Sequence, residues 1–197
     1  MQNLKQKATQ WQAHGVPMQS LGAVEVAELL GTKAYVGGIL DPRGGNIHPL
    51  NYALGLADAA IAAGAMICGQ TKVEAVAAGG SLHTIISAHG RVRARKVLVC
   101  TNGYTGDLIS GLRQSVVPIR SIQVATAPLS DNLRASILPS LHAPSDTRRL
   151  LSYFRTDAAG RFIMGARGAY TSAATKARFA QARAITAELF PQLANVK

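Results

Sequence analysis

A chain of 197 residues with 48% hydrophobic content can build one ordinary domain or two small ones around a real core, which excludes a disordered protein. Its net charge of +11 permits contact with anionic surfaces, but the basic residues are spread along the chain. With no zinc-type spacing, helix-turn-helix cue or aromatic-basic signature, neither a metal nor a nucleic acid is expected as a partner. No apolar run is long enough for a bilayer and the polar start lacks a signal-type core, so a cytoplasmic protein without membrane partners is the expectation.

Leu4, Ala8 and Trp11 recur at helical spacing, predicting an amphipathic helix over the first dozen residues that ends near Gly15 and Pro17. A second helix is predicted over 23–30, with Gly22 as its cap, Glu25 in its first turn and Gly31 closing it. Tyr35 to Leu40 reads as a short strand and Asp41 to Asn46 as a turn. His48 precedes Pro49, a good first helical residue, and Leu50, Ala53, Leu54, Ala57 and Ile61 then make one apolar stripe up to Gly64. His48 could exchange protons beside the glycine-rich loop, although a capping or loop-bonding role suits it better.

Ala65 to Cys68 reads as a strand. Thr71 to Ala77, Leu82 to Ser87 and Val92 to Val99 then read as an antiparallel meander, with Arg91, Arg93 and Arg95 on the outer face of a half-buried strand. Cys68 and Cys100 lie in apolar strand-like runs and are expected to be small buried hydrophobes. The continuous Val97, Leu98 and Val99 suggest a strand covered on both faces, emptying into Thr101-Asn102-Gly103. That turn exposes main-chain amides to which a ligand could come close; it also reads as a plain strand-to-helix turn.

Val116 through Thr126 is a strand interrupted at Pro118, and 130–147 a loop with one helical turn. Leu150 to Thr156 and Arg161 to Gly165 form a hairpin around Asp157 to Gly160. Within it Tyr153 and Arg155 share one face, offering an oriented hydroxyl and a planar fork suited to a carboxylate; the same pair also reads as a solvated arginine beside a half-buried tyrosine. Ser172 to Phe190 is predicted as a final helix with Phe179, Ala182, Ile185 and Leu189 on one face.

Four stretches in register resemble the FAD-dependent oxidoreductases of the D-amino-acid oxidase superfamily, in particular the subgroup containing gamma-glutamylputrescine oxidoreductase. They are Gly44-Gly45-Asn46-Ile47-His48-Pro49-Leu50-Asn51-Tyr52, Val97 to Leu108, Val117-Pro118-Ile119-Arg120-Ser121 through Leu129, and Tyr153-Phe154-Arg155 through Gly165. The resemblance implies an α+β or α/β fold: a partial FAD-binding domain with N-terminal helices over 1–116, part of a mixed-sheet substrate domain over 117–170, and a C-terminal helix over 171–197. It implies FAD as cofactor, met through the backbone by Val73, Thr101, Asn102 and Gly103, and a small amine or amino-acid-like substrate facing Tyr153 and Arg155. Hydride transfer from the amine-bearing carbon to flavin is the implied reaction, with no catalytic acid or base assigned.

The family's GxGxxG unit and its closing segment are not found in this sequence. The chain is therefore expected to be an internal fragment with weak or absent flavin binding and an uncovered apolar face, its missing parts supplied by a partner chain. A noncatalytic α+β remnant, or an interaction module with a basic surface, is the alternative.

Overall fold

The computed structural model describes residues 2–117, 119–149, 151–169 and 172–196, with Ser172 and Ala173 known only in their backbone. The expected break at Pro118, the strand start at Leu150 and the side-chain cap from Ser172 lie outside that description. The chain divides into two units, Met1–His48 with Arg120–Lys197, and Pro49–Ile119. The N-terminal helices thus belong to the same unit as residues 120–197.

In the first unit, α1 (Gln2–Ala13) leads to β1 (Gln19–Gly22), which pairs antiparallel with β2 (Gly37–Leu40) on either side of α2 (Ala23–Leu30). The bounds of α2 follow from local chemistry. Gly22 N–H donates to the Glu25 carboxylate at 2.6 Å, and Gly31 closes the helix at φ 74°, a left-handed conformation that glycine adopts without strain. Of the α1 stripe, Ala8 is buried and Trp11 exposed.

The larger sheet has the order β6-β8-β7 and is antiparallel throughout, not mixed: β6 is Ser121–Pro128, β7 Ser152–Thr156 and β8 Arg161–Arg167. The hairpin forms as expected, its turn closed by Asp157 Oδ1, which accepts the N–H groups of Ala159 and Arg161 at 3.0 and 2.9 Å. A short helix, α4 (Asp131–Ser136), lies in the expected loop, and α5 (Ser172–Leu189) packs on β6 and β8.

Register divides the sheet into two faces. The rows Ile122-Ala166-Ser152 and Val124-Met164-Phe154 point one way. On that side Phe154, Phe162 and Phe190 meet with ring centroids 5.0 to 5.7 Å apart, joined by Met164, Ile137, Leu138 and Leu189. This aromatic packing is the core of the unit. From α5 it takes Ala182 and Leu189, while Phe179 stays partly exposed.

In the second unit, α3 (Pro49–Ala62) is followed by a three-stranded antiparallel sheet of β3 (Val73–Ala77), β4 (His83–Ser87) and β5 (Gly90–Ala94), the expected meander. Several expectations fail here. Residues 65–68 and 95–100 are irregular, and the run foreseen as a doubly covered strand is open, with Leu98 87% exposed. Apolar β-branched residues make a strand only where a neighbour takes up their N–H and C=O groups, and β5 ends the sheet at Ala94. Cys68 and Cys100 are exposed rather than buried, and β5 is not half-buried, since Arg91, Val92 and Arg93 are all exposed. The stripe of α3, in contrast, is open in the way expected of an uncovered apolar face: Leu50, Leu54 and Ile61 are all more than half exposed. No described residue between 49 and 119 is buried.

Candidate functional site

The second face of the β6-β8-β7 sheet carries the site. Its rows are Gln123-Gly165-Tyr153 and Ala125-Ile163-Arg155. With Phe154 turned into the core between them, Tyr153 and Arg155 point together to the opposite side, as their alternation predicts. They line a cleft of about 210 Å³ with Asn46, Gln123, Ser145 and Gly165.

Local bonds hold the walls. Ser145 forms a β-bridge with Tyr153, Phe154 N–H donates to the Pro144 carbonyl at 3.2 Å, and Asp146 N–H to that of Ser152 at 2.9 Å, so 144–146 runs beside β7 as a short extra edge. The Asp146 carboxylate anchors this segment. Its side chain is almost wholly buried, its Oδ1 accepts N–H groups from Arg148 and Ser152 at 3.2 and 3.0 Å, and Arg148 continues to Glu188 on α5 at 3.2 Å. Asn46 is tied to the same region by its amide, which donates to the Leu141 carbonyl at 3.0 Å. The turn before it is fixed by Asp41, whose carboxyl is held down at about 2 chiefly by the hydrogen bonds it accepts from Arg43.

The electrostatics of the cleft are one-sided. Among its lining residues Arg155 is the charged group and no carboxylate is present, while Asn46, Gln123, Ser145 and Tyr153 supply neutral donors and acceptors. Arg155 makes no ion pair among the described residues, whereas Arg148 and Arg161 are paired with Asp146 and Asp157. A half-buried guanidinium without a counter-ion, at the edge of a cleft lined by neutral groups, can take a carboxylate through two parallel N–H bonds. Sequence reasoning did not reach Gln123, Asn46 and Gly165 as site residues. Gly165 and Gln123 face Tyr153 only through strand register, and Asn46 comes from a turn more than 75 residues away in sequence, so no local pattern marks them.

The other predicted residues lie in the second unit. Val73 is half-buried at the start of β3, an edge strand, where Val73 opposes Ser87 and Ala75 opposes Ile86, so Glu74 bulges. Thr101, Asn102 and Gly103 form an exposed turn that runs into a 3-10 helix over Asn102–Tyr104; Thr101 and Thr105 share a hydroxyl bond of 2.6 Å. A Cβ built on Gly103 would meet nothing within 4 Å. An open strand edge and a bare turn fit a ligand met through the main chain.

An α+β chain of antiparallel sheets, one of them bearing a cleft with an arginine that has no ion pair among the described residues, shares its fold with solved oxidases. Glycine oxidase from Geobacillus kaustophilus superposes with a TM-score of 0.73 at 20% identity, over 100% of this chain and 52% of that one. NikD, an unusual amino acid oxidase essential for nikkomycin biosynthesis, superposes with a TM-score of 0.67 at 19% identity, over 98% of this chain and 53% of its own. The DAO family, FAD dependent oxidoreductase, matches residues 1–197, and the chain belongs to it.

Curated relatives include the probable oxidoreductases OrdL of Haemophilus influenzae, 32% identical over 91% of this chain, and of Rhizobium meliloti, 35% identical over 88%. Gamma-glutamylputrescine oxidoreductase of Escherichia coli is 30% identical over 82% of the chain. The chain spans 42%, 40% and 38% of the lengths of these three relatives.

Proposed function

We propose that this chain carries the substrate cleft, and part of the cofactor-facing surface, of an FAD-dependent oxidoreductase that acts on an amine bearing a carboxylate, of the gamma-glutamylputrescine oxidoreductase kind. The observation that carries the reading is Arg155, without an acidic partner among the described residues and set beside Tyr153 in a cleft free of carboxylates. Arg155 grips the substrate carboxylate, the Tyr153 hydroxyl orients it, and the Gln123 amide meets a polar part of the same molecule. An exclusively cationic polyamine finds no acidic partner in these walls. Bound FAD would supply the hydride acceptor for the amine-bearing carbon.

In the second unit the backbone of Val73 and of Thr101, Asn102 and Gly103 would hold the cofactor; the open edge of β3 and the unobstructed Gly103 support this. A further segment covers α3 and completes a core there, on a partner chain or in the family length that this chain does not span. The lack of any buried residue among those described in 49–119 supports that arrangement.

Titration of the isotope-labelled chain with acetate tests the cleft, followed at the Arg155 side-chain Nε–H resonance in the parent and at the backbone amide resonances of Tyr153 and Gly165 in parent and variant alike. Loss of one charge-assisted pair in Arg155→Ala is expected to weaken binding about 10- to 100-fold. Equal acetate affinity in variant and parent removes the carboxylate from the reading. Quenching of flavin fluorescence on adding protein to FAD tests the cofactor, and fluorescence unchanged at high protein concentration removes it.

A further inference from the structure

Gly165 sits in the central strand of its sheet, where a residue without a side chain weakens packing and commonly marks a close approach by another group. The group is the Tyr153 ring. A Cβ built on Gly165 would overlap Cε2 and Cζ of Tyr153, its cross-strand partner, so the phenol lies flat against the β8 backbone. Gly165 is itself buried, and Gln123 opposes it from the other side. The contact is not with backbone, as it is at Gly31, but with the end of a side chain that can rotate away. A methyl group at 165 therefore lifts the ring off the sheet and into the cleft.

We infer that Gly165 is a specificity-determining residue: by letting Tyr153 lie flat it sets the depth of the cleft at Arg155, and so the size of carboxylate-bearing ligand admitted. The inference rests on the carboxylate reading of Arg155 and adds to it a limit on bulk. It assigns Gly165 a positioning role, acting through Tyr153. A glycine needed only for sheet packing would change stability without favouring one ligand over another.

The test compares acetate with phenylacetate on the full chain. In Gly165→Ala, phenylacetate affinity is expected to fall at least about tenfold relative to acetate, as overfilling a packed space demands. Phenylacetate affinity relative to acetate is expected to recover in the Tyr153→Ala, Gly165→Ala double variant, where the ring is gone. The parent proton spectrum reads the contact without any ligand: the Gly165 Hα resonances should be displaced upfield by the ring above them, and will do so even if Gly165→Ala fails to fold. Undisplaced Hα resonances, equal losses for the two acids, or a double variant that disfavours phenylacetate as strongly as the single one overturn the inference and leave the carboxylate reading intact. A parent chain that binds neither acid overturns both.

Discussion

Tyr35 stacks beside Phe154 at a centroid distance of 6.5 Å, and its hydroxyl is buried without a hydrogen-bond partner among the described residues. Burial, reinforced by the nearby Asp146 and Glu188 carboxylates against an opposing effect of Arg148, pushes the phenol from its ordinary 10.0 up to about 12. A folded-state value above the unfolded one means that the neutral phenol's contribution is complete below pH 10 and is lost as pH rises toward about 12. Tyr35→Phe should therefore change stability at pH 7 by no more than about 1 kcal/mol, because no made hydrogen bond is removed. It should also keep more of that stability than the parent in the alkaline window. Melting curves by circular dichroism at neutral pH and between the two values check this, and parallel decline of both proteins contradicts it. At this scale the sequence was readable where chemistry is local. Tyr153 and Arg155 share a face by alternation alone, whereas Gly165, Gln123 and Asn46 join them through pairings between distant stretches.

Among the elements, α2 shows how far local signals reach. Gly22, Glu25 and Gly31 set both of its ends, and all three are recognisable in the sequence. The packing that makes Gly31 indispensable is not local. Leu138 N–H donates to the Leu30 carbonyl at 3.2 Å, Gln192 to the Gly31 carbonyl at 3.3 Å, and a Cβ on Gly31 would overlap the Ser136 carbonyl. Gly31→Ala combines left-handed strain with a clash against backbone that cannot rotate aside. It is expected to cost about 2–4 kcal/mol. A lowered melting temperature, by roughly 2–4 °C for each kcal/mol, reports it, and an unchanged one shows that the α2–α4 approach relaxes freely. The stretch 95–100 is the converse case. Val97, Leu98 and Val99 have the composition of a covered strand, but strand formation depends on a neighbouring backbone, which composition cannot reveal.

For the molecule as a whole, 48% hydrophobic content promises a core without saying where it lies. The buried side chains fall in Met1–His48 and Arg120–Lys197, around Phe154, Phe162 and Phe190, and none among the described residues falls between 49 and 119. Amide hydrogen exchange on the chain alone should find slow amides in β6, β7, β8 and α5, with β3, β4, β5 and α3 exchanging far faster. Equal protection of the two units contradicts that division. The exposure of Cys68 and Cys100 turns the same feature into a chemical footprint. Both thiols should alkylate rapidly in the chain alone, and the further segment proposed to cover this unit should slow one or both, so that unchanged labelling rates in a lysate would contradict such a cover at these two positions.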